Sequence, residues 1–314
     1  MFWRKKNQIP LGVPLGELAL LLRMGNVATK FEGSTLIVTD GAFTTRVEVT
    51  QPQGKSIDQP MQAVVQIRTE LPPVLAKQMN GRETEFAAGL NPLAVLGALT
   101  FDQSRAFVGS RLTLFEADNA WERLHCPLLL GTILSATPGL LGALRRTPGR
   151  EPPNAGESLW SEENLHELQA MMSRLCLCTS SGRSFTAEFA LEPGAVSAAA
   201  GDKTALFQLR ADQPHPELGG GLLALLQLPH TFQSEEQVYV TAHRLNQLEM
   251  QPIDLAPHFG AWCAGHGGAQ LAYVTFVPNE LYSVCAGIEA NLTAWGMHRA
   301  MWAMHQLSTM GVRL

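Results

Sequence analysis

The residues best suited to chemistry lie in the last fifth of the chain, where Cys263 and His266 are three positions apart. A thiol and an imidazole brought together across a turn form a nucleophile and its base. The glycines Gly265, Gly267 and Gly268 around them would free backbone N–H groups to face a developing oxyanion. However, the chain contains no Gly-x-Ser-x-Gly elbow, and no third group supports the pair. These residues therefore predict a hairpin turn beside a buried thiol, and we expect no catalytic residues.

The cysteines give a similar result. Cys176 and Cys178 lie two apart on a predicted strand, so their side chains share one face and their Cα atoms are about 7 Å apart, at the outer limit for a disulfide. The five cysteines include no Cys-x-x-Cys pair, and the further ligands that a metal would need cannot be named. The run Gly219-Gly220-Gly221 lacks the Lys-Ser/Thr of a phosphate loop. We expect free thiols, with no metal site and no cofactor.

The last predicted helix carries the most suggestive surface. Trp295, His298, Trp302 and His305 follow at steps of three, four and three, which places them along one side of a helix. The two histidines are about 10.5 Å apart along the axis, too far to share a metal. One interpretation is a core or inter-module face. The other is a groove for a partner, since Trp and Met side chains adapt to varied apolar segments. The partner-binding hypothesis comprises Trp295, His298, Trp302, Leu222, Leu223 and Leu226.

Composition limits the classes of function. The formal charge is −5 and charged residues make up 16% of the chain, so the basic surface that nucleic-acid binding requires is not evident. The start of the chain has no apolar segment of signal-peptide type, which predicts a cytoplasmic protein. The segment from Cys126 to Leu144 contains no charged residue and approaches the length of a membrane span. Because its counterpart, Leu281 to Leu307, is charged, we expect this segment to pack in a core, with Pro138 restarting a helix that Thr137 caps.

The chain contains an internal repeat. Ala63 to Pro72 resembles Ala205 to Pro214, and Phe43-Thr44 recurs as Phe185-Thr186, both at an offset of 142 residues. A constant offset over two patches is typical of duplication. Leu90-Asn91 matches Leu245-Asn246 at a larger offset, which predicts an insert in the second copy, much of it in Glu217 to Leu228. We expect a first module over 11–146, a linker over 147–157 and a second module over 158–310.

Each module is predicted to run helix, three strands, helix, two strands, helix, and to form an antiparallel sheet of α+β class. The helices are expected at Leu15 to Leu22, Arg82 to Leu96, Trp121 to Ala136, Leu165 to Met172, Ser234 to Leu248 and Glu280 to Leu307. The strands are expected at Ser34 to Thr39, Phe43 to Thr50, Gln62 to Thr69, Leu96 to Phe101, Phe107 to Phe115, Leu175 to Thr179, Phe185 to Leu191, Ala205 to Ala211, Phe259 to Ala264 and Gln270 to Val277.

This order of elements resembles the small bacterial type III secretion chaperones and the related YbjN-like proteins. The resemblance rests on topology over nearly the whole chain and on no signature motif. Those proteins are typically single modules that pair as acidic homodimers, so this chain resembles a covalently linked pseudo-dimer. The resemblance implies a binding activity and no catalytic residues.

The leading hypothesis is therefore a non-catalytic, chaperone-like or adaptor protein that holds an apolar or partly unfolded protein segment. Its expected partner is a protein client or partner subunit, and we expect a monomer with pseudo-twofold symmetry. One alternative is a small-molecule-binding or enzymatic module with a pocket between the copies, using Cys263, His266 or His298. Another is a structural subunit of a larger assembly.

Overall fold

A computed structural model describes residues 13–41, 43–50, 61–102, 105–115, 124–145, 156–191, 204–251, 256–265, 267–285 and 287–312. Within these ranges the strands form two six-stranded sheets, and every strand pair is antiparallel. Helices pack on the sheets through the buried apolar side chains of both. The predicted α+β class with antiparallel sheets is therefore confirmed.

The first half of the chain forms the first sheet. Its elements are α1 (Val13–Met24), β1 (Ala28–Glu32), β2 (Thr35–Asp40), β3 (Phe43–Thr50), β4 (Met61–Glu70), α2 (Pro73–Met79), α3 (Glu83–Leu90), β5 (Ala98–Asp102), β6 (Arg105–Phe115), α4 (Cys126–Gly131) and α5 (Thr137–Arg145). The strands lie side by side in the order β1-β2-β3-β4-β6-β5. The two edges of this sheet are therefore β1 and β5.

The second half forms the second sheet in the same manner. Its elements are α6 (Glu162–Met172), β7 (Leu177–Ser181), β8 (Ser184–Ala190), β9 (Thr204–Arg210), β10 (Gly221–Thr231), α7 (Glu235–Glu249), β11 (Ala261–Ala264), β12 (Gln270–Pro278) and α8 (Ile288–Thr309). The order is β7-β8-β9-β10-β12-β11, which repeats the spatial sequence of the first sheet. The described strands thus occur in corresponding positions in the two sheets.

The prediction of three strands before the middle helix was wrong, because the described residues of each half form four. β1 was missed, and β10, which was assigned to an insert, lies inside the second sheet between β9 and β12. The offset of 142 residues pairs β4 with β9, yet β4 lies between β3 and β6 whereas β9 lies between β8 and β10. The repeated stretches therefore occupy positions one strand apart and do not mark equivalent strands.

Alternating burial explains why β9 and β10 form as strands. In β9 each second side chain is buried, and in β10 Leu222, Ala224, Leu226 and Leu228 are buried while the residues between them are half-buried. That period of two matches the pleat of a sheet with one face against a core. The helix α7 begins where predicted, because the Ser234 hydroxyl accepts the Gln237 N–H and caps it. The predicted helix over Arg82 to Leu96 is shorter and ends in a 3-10 turn at Asn91–Leu93.

The uncharged segment after Cys126 is packed in the core. Its side chains Leu128, Leu129, Ile133, Leu140 and Leu141 are all buried. The helix does not restart at Thr137, which has helical backbone angles; a π-helical stretch at Thr132–Ala136 joins α4 to α5 instead. Such a stretch changes the hydrogen-bond register just before Pro138, which has no N–H to donate.

Within the described residues, no helix combines the length and the hydropathy that a membrane span needs.

One asparagine fixes the end of the middle helix in each half. Asn91 Oδ1 accepts the Leu99 N–H at 2.8 Å, and its Nδ2 donates to Leu99 O at 3.4 Å. Asn246 Oδ1 accepts the Trp262 N–H at 2.7 Å, and its Nδ2 donates to Trp262 O at 2.9 Å. Each amide therefore mimics a neighbouring strand and ties its helix to β5 or β11. The two contacts, each of two hydrogen bonds, are alike, in keeping with the sequence match of Leu90-Asn91 to Leu245-Asn246.

We expect Asn246→Ala and Asn91→Ala each to lower the free energy of unfolding by about 2–3 kcal/mol, because each leaves a buried N–H and C=O unpaired. Urea denaturation of the purified variants measures this change. Asn291→Ala on α8 is the control, since Asn291 donates to Gly287 O at an exposed position. Equal and small losses in all three variants would contradict the role of the buried amides.

Candidate functional site: the buried ionic network between the sheets

The C-terminal end of α7 lies against the first sheet. Arg111 on β6 donates from Nε to Glu249 O at 2.6 Å and from Nη2 to Ala256 O at 2.9 Å. Gln66, which is opposite Arg111 on β4, donates from Nε2 to Met250 O at 2.5 Å. Carbonyl groups at a helix C-terminus have no partner within the helix. Side chains of the first sheet therefore supply donors to the helix of the second half.

The halves also exchange backbone hydrogen bonds. Arg111 and His258 form an antiparallel bridge, with N–H···O distances of 3.1 and 2.7 Å. In the other direction, Phe276 on β12 donates its N–H to Ala94 O at 3.0 Å, just after the middle helix of the first half. The His215 ring nitrogen Nε2 lies 3.2 Å from Leu93 O. The segment that follows each middle helix is therefore held by the opposite sheet.

Glu249 is the centre of a network with no exposed part. Its Oε1 accepts the Trp262 Nε1–H at 2.6 Å, and its Oε2 lies 3.0 Å from His258 Nδ1. Arg299 on α8 contacts both oxygens, at 3.0 Å from Nε to Oε1 and 3.0 Å from Nη2 to Oε2. The Arg299 guanidinium also lies 4.0 Å from the centre of the Tyr273 ring. The carboxylate thus accepts hydrogen bonds from Trp262 on β11, from His258 in the segment before β11 and from Arg299 on α8.

These contacts set the charge states. Burial by itself would raise the pKa of Glu249, but Arg299 and His258 outweigh it and hold that pKa far below its usual range. Burial lowers the pKa of His258, although Glu249 opposes the shift, so the imidazole is neutral and donates its Nδ1–H. Burial would lower the pKa of Arg299, and Glu249 raises it. The result is an ion pair of Glu249 with Arg299, beside a neutral histidine.

Such a network is suited to holding structure. Glu249, His258 and Arg299 are at most 3% exposed, so a substrate reaches none of them without opening the interface. The His258 Nε2 atom has no hydrogen-bond partner among the described residues. Ion pairs this deeply buried contribute specificity of packing more than net stability, because desolvation offsets their attraction. The network therefore holds α7, β11 and α8 of the second half together, and Arg111 links the end of α7 to the first sheet.

The thiols are poorly suited to nucleophilic work. Cys263 lies on β11, and burial raises its pKa to about 12; burial likewise raises the pKa of Cys126 and of Cys285 to about 12. At neutral pH these groups stay protonated, and the thiolate is the reactive form. His266, the predicted base beside Cys263, lies outside the described residues. The described residues include no group of three or more His, Cys, Asp or Glu side chains that would hold a metal ion.

The predicted partner residues do not form one surface. Leu222 and Leu226 are buried in β10, so a partner cannot reach them, and Leu223 is half-buried in the same strand. On α8, Trp295 and Trp302 are half-buried and pack against the core, whereas His298 is exposed. The hypothesis fails for Leu222 and Leu226 because the segment is a central strand and not an insert. The tryptophans fit the interpretation of α8 as a core face.

Sequence reasoning missed Arg111, Glu249, His258 and Arg299. A signal was present, because two of them, Glu249 and Arg299, lie on the helix side that is otherwise buried. Glu249 follows Val238, Ala242 and Leu245 on the buried side of α7, and Arg299 lies on the buried side of α8. A charged residue that is buried within an apolar stripe is paired with an opposite charge or hydrogen-bonded.

No protein-family model, curated protein or solved structure matches this chain. The class that its fold defines is an α+β protein of two six-stranded antiparallel sheets in the described residues, joined by hydrogen bonds from Arg111 and Gln66 of the first sheet to carbonyl groups at and after the end of α7.

We expect Glu249→Gln and Arg299→Met each to lower the free energy of unfolding by about 3–5 kcal/mol, because each leaves a buried charge without its partner. The double variant should cost at least about 1 kcal/mol less than the sum of the single variants. A double-mutant cycle by guanidinium denaturation measures the difference. Additive losses would show that Glu249 and Arg299 are not coupled.

The stability should also fall in mild acid. His258 has a lower pKa in the folded protein than in the unfolded chain, where it is about 6.5. As the pH falls, the unfolded state therefore binds the proton first. The contribution of His258 to the stability of the folded protein is present above pH 6.5 and is lost as the pH falls towards the folded pKa. We expect the free energy of unfolding to decline between pH 7 and 5, with His258 contributing a slope of up to about 1.4 kcal/mol per pH unit.

Urea denaturation at several pH values measures that slope. The comparison is His258→Asn, which keeps a donor near the Nδ1 position and does not titrate. A smaller slope in this variant supports the assignment. An unchanged slope would mean that other groups produce the acid sensitivity.

Proposed function

We propose that this protein is a non-catalytic protein-binding module, of chaperone-like or adaptor type, which holds an extended apolar or partly unfolded segment against the edge strand β7. The observation that carries the proposal is an uncharged strand edge, without a partner strand among the described residues, that is flanked by exposed apolar side chains. The cytoplasmic location stays a prediction from the sequence.

The outer edges of the sheets carry an unusual share of exposed apolar residues. Of the 13 large hydrophobic side chains that are exposed in the described residues, seven lie in two units, α1 with β1 and α6 with β7. These seven are Leu20, Leu21, Met24, Phe31, Met171, Leu175 and Leu177. Concentrated apolar surface of this kind marks interaction sites more often than scattered single residues do. The inner edges, β5 and β11, contact each other and are not free.

The two outer edges differ in charge. β1 carries Lys30 and Glu32, which form an ion pair at 2.7 Å, with Arg46 nearby. Charged side chains on an edge strand hinder the addition of another strand. β7 has the sequence Leu-Cys-Thr-Ser-Ser without a charge, and its Leu177 is 54% exposed. Strand addition with apolar side chains on the flanks is therefore favoured at β7.

One contact limits how far a partner strand can extend. The Ser180 N–H, at the end of β7 near the turn, donates to Gln169 Oε1 of α6 at 2.9 Å. The Ser180 hydroxyl donates to the same oxygen at 2.5 Å. Gln169 thus occupies part of the edge, and a partner strand would pair around Cys178 or displace the Gln169 amide.

We further propose that the chain is a pseudo-dimer of two homologous modules, over 11–146 and 158–310, with the predicted linker 147–157 between them. Support comes from the equal strand orders, from the matched amide contacts of Asn91 and Asn246, and from the reciprocal bridges of Ala94 and His258 to opposite sheets. A duplicated module has two equivalent outer edges, of which one has stayed uncharged. Of the linker, only residues 156 and 157 are described.

We expect Leu177→Lys to weaken the binding of extended apolar peptides at least about tenfold, since it places a charge on the docking strand. Twelve-residue random peptides on phage, selected against the wild-type chain, supply the probe. Isothermal titration with the enriched peptides then gives the dissociation constants for each variant.

The matched control is Phe31→Lys, which adds the same charge to β1, where the exposed fraction of the side chain is 47%. It should leave peptide binding unchanged. Circular dichroism spectra and melting temperatures of both variants should match the wild type, because both positions are exposed. The proposal fails if no peptide family is enriched or if both substitutions weaken binding equally.

A further inference from the structure

A small cavity lies between the second sheet and α8, next to the ionic network. Its walls come from β9, β10, β12, α8 and the segment before β11, and they are largely apolar; they include Phe207, Leu226, Phe259, Leu292 and Trp295. The space open to the centre of a water molecule is about 20 Å³. Among the lining residues, Trp295 is the one that is not buried. The cavity is therefore enclosed by buried residues apart from the half-buried Trp295.

Two polar side chains interrupt these apolar walls. Thr275 on β12 is 2% exposed, and its hydroxyl has no hydrogen-bond partner among the residues that the structure describes. Arg299 also lines the cavity. A buried hydroxyl without a partner is costly, which is why such groups in proteins are nearly always bonded to protein or to an ordered water. Thr275 thus indicates a polar occupant.

The size and charge of the cavity decide its chemistry. A cavity must have room for about one water sphere, about 10–15 Å³, to hold a water, and here the space open to water centres alone is about 20 Å³, so a water-sized molecule fits. A cation is disfavoured by the Arg299 guanidinium. An anion would lose its hydration, and the charge of Arg299 is already matched by Glu249 at 3.0 Å. We infer that the cavity is a binding site for one small uncharged hydrogen-bonding molecule, a water, held by the Thr275 hydroxyl beside Arg299.

Crystals of the wild-type chain grown with bromide as the sole halide test the inference directly. The expected result is one density peak at hydrogen-bond distance from Thr275 Oγ1, without anomalous signal at the bromine edge. An anomalous peak there would identify an anion site and overturn the inference. A cavity without density would overturn it as well.

Thr275→Val gives a second test, because the two possibilities predict opposite changes in the stability of the folded protein. If the hydroxyl binds a water, the variant loses a hydrogen bond, and the unfolding equilibrium constant should rise about five- to tenfold. The reference is Thr45→Val, which removes a buried hydroxyl bonded to Thr69 Oγ1 at 2.8 Å, and the two variants should shift alike. An increase in stability for Thr275→Val would show an unpaired hydroxyl and refute the site. Neither test depends on peptide binding at β7.

Discussion

A carboxylate without access to water needs a full set of donors, and Glu249 obtains them from parts of the chain that are far apart. Trp262 lies on β11, His258 lies three residues before β11, and Arg299 comes from the last helix. Arg111, from the first sheet, holds the carbonyl of the same residue. Because a buried charge is tolerated only with its partners in place, this arrangement fixes β11 and α8 relative to α7, and the Arg111 contact holds the end of α7 against the first sheet. The reciprocal bridges at Ala94 and His258 also join the two halves.

The same constraint determines which surfaces remain open. With the middle helices and the inner edge strands β5 and β11 drawn together, the unpaired backbone groups of the sheets lie at β1 and β7. An edge strand attracts further strands unless side chains prevent it. The Lys30–Glu32 pair protects one edge, whereas Gln169 covers only Ser180 at the other. The contacts between the halves thus involve the inner strands β5 and β11, and they leave the outer strands β1 and β7 without a partner among the described residues.

Local patterns were sufficient to predict the class of the fold, most strands, and the start of α7 at Ser234. They failed where a segment satisfies two patterns or where the deciding contact is remote. Leu222 to Leu228 is apolar at nearly every position, so its periodicity does not distinguish a strand from a helix, and the glycines before it suggested an insert. The sequences of β4 and β9 resemble each other although β4 is buried at most of its positions and β9 only at alternate ones. The network could not be derived, because Arg111 and Glu249 are 138 residues apart, although charges inside apolar stripes gave a warning.

The reciprocal exchange between the halves has a consequence for how the chain is made. Arg111 is synthesised 138 residues before the carbonyl group that it binds. At elongation rates of roughly 5–20 residues per second, the guanidinium waits roughly 7–28 s for α7 to emerge. During that interval the inner face of the first sheet and the edge of β5 have no partner, and nascent chains on one polysome present the same unfilled surface to each other. Joining both halves in a single chain ensures that the matching segment arrives at high local concentration, so that the pairing is completed within one molecule.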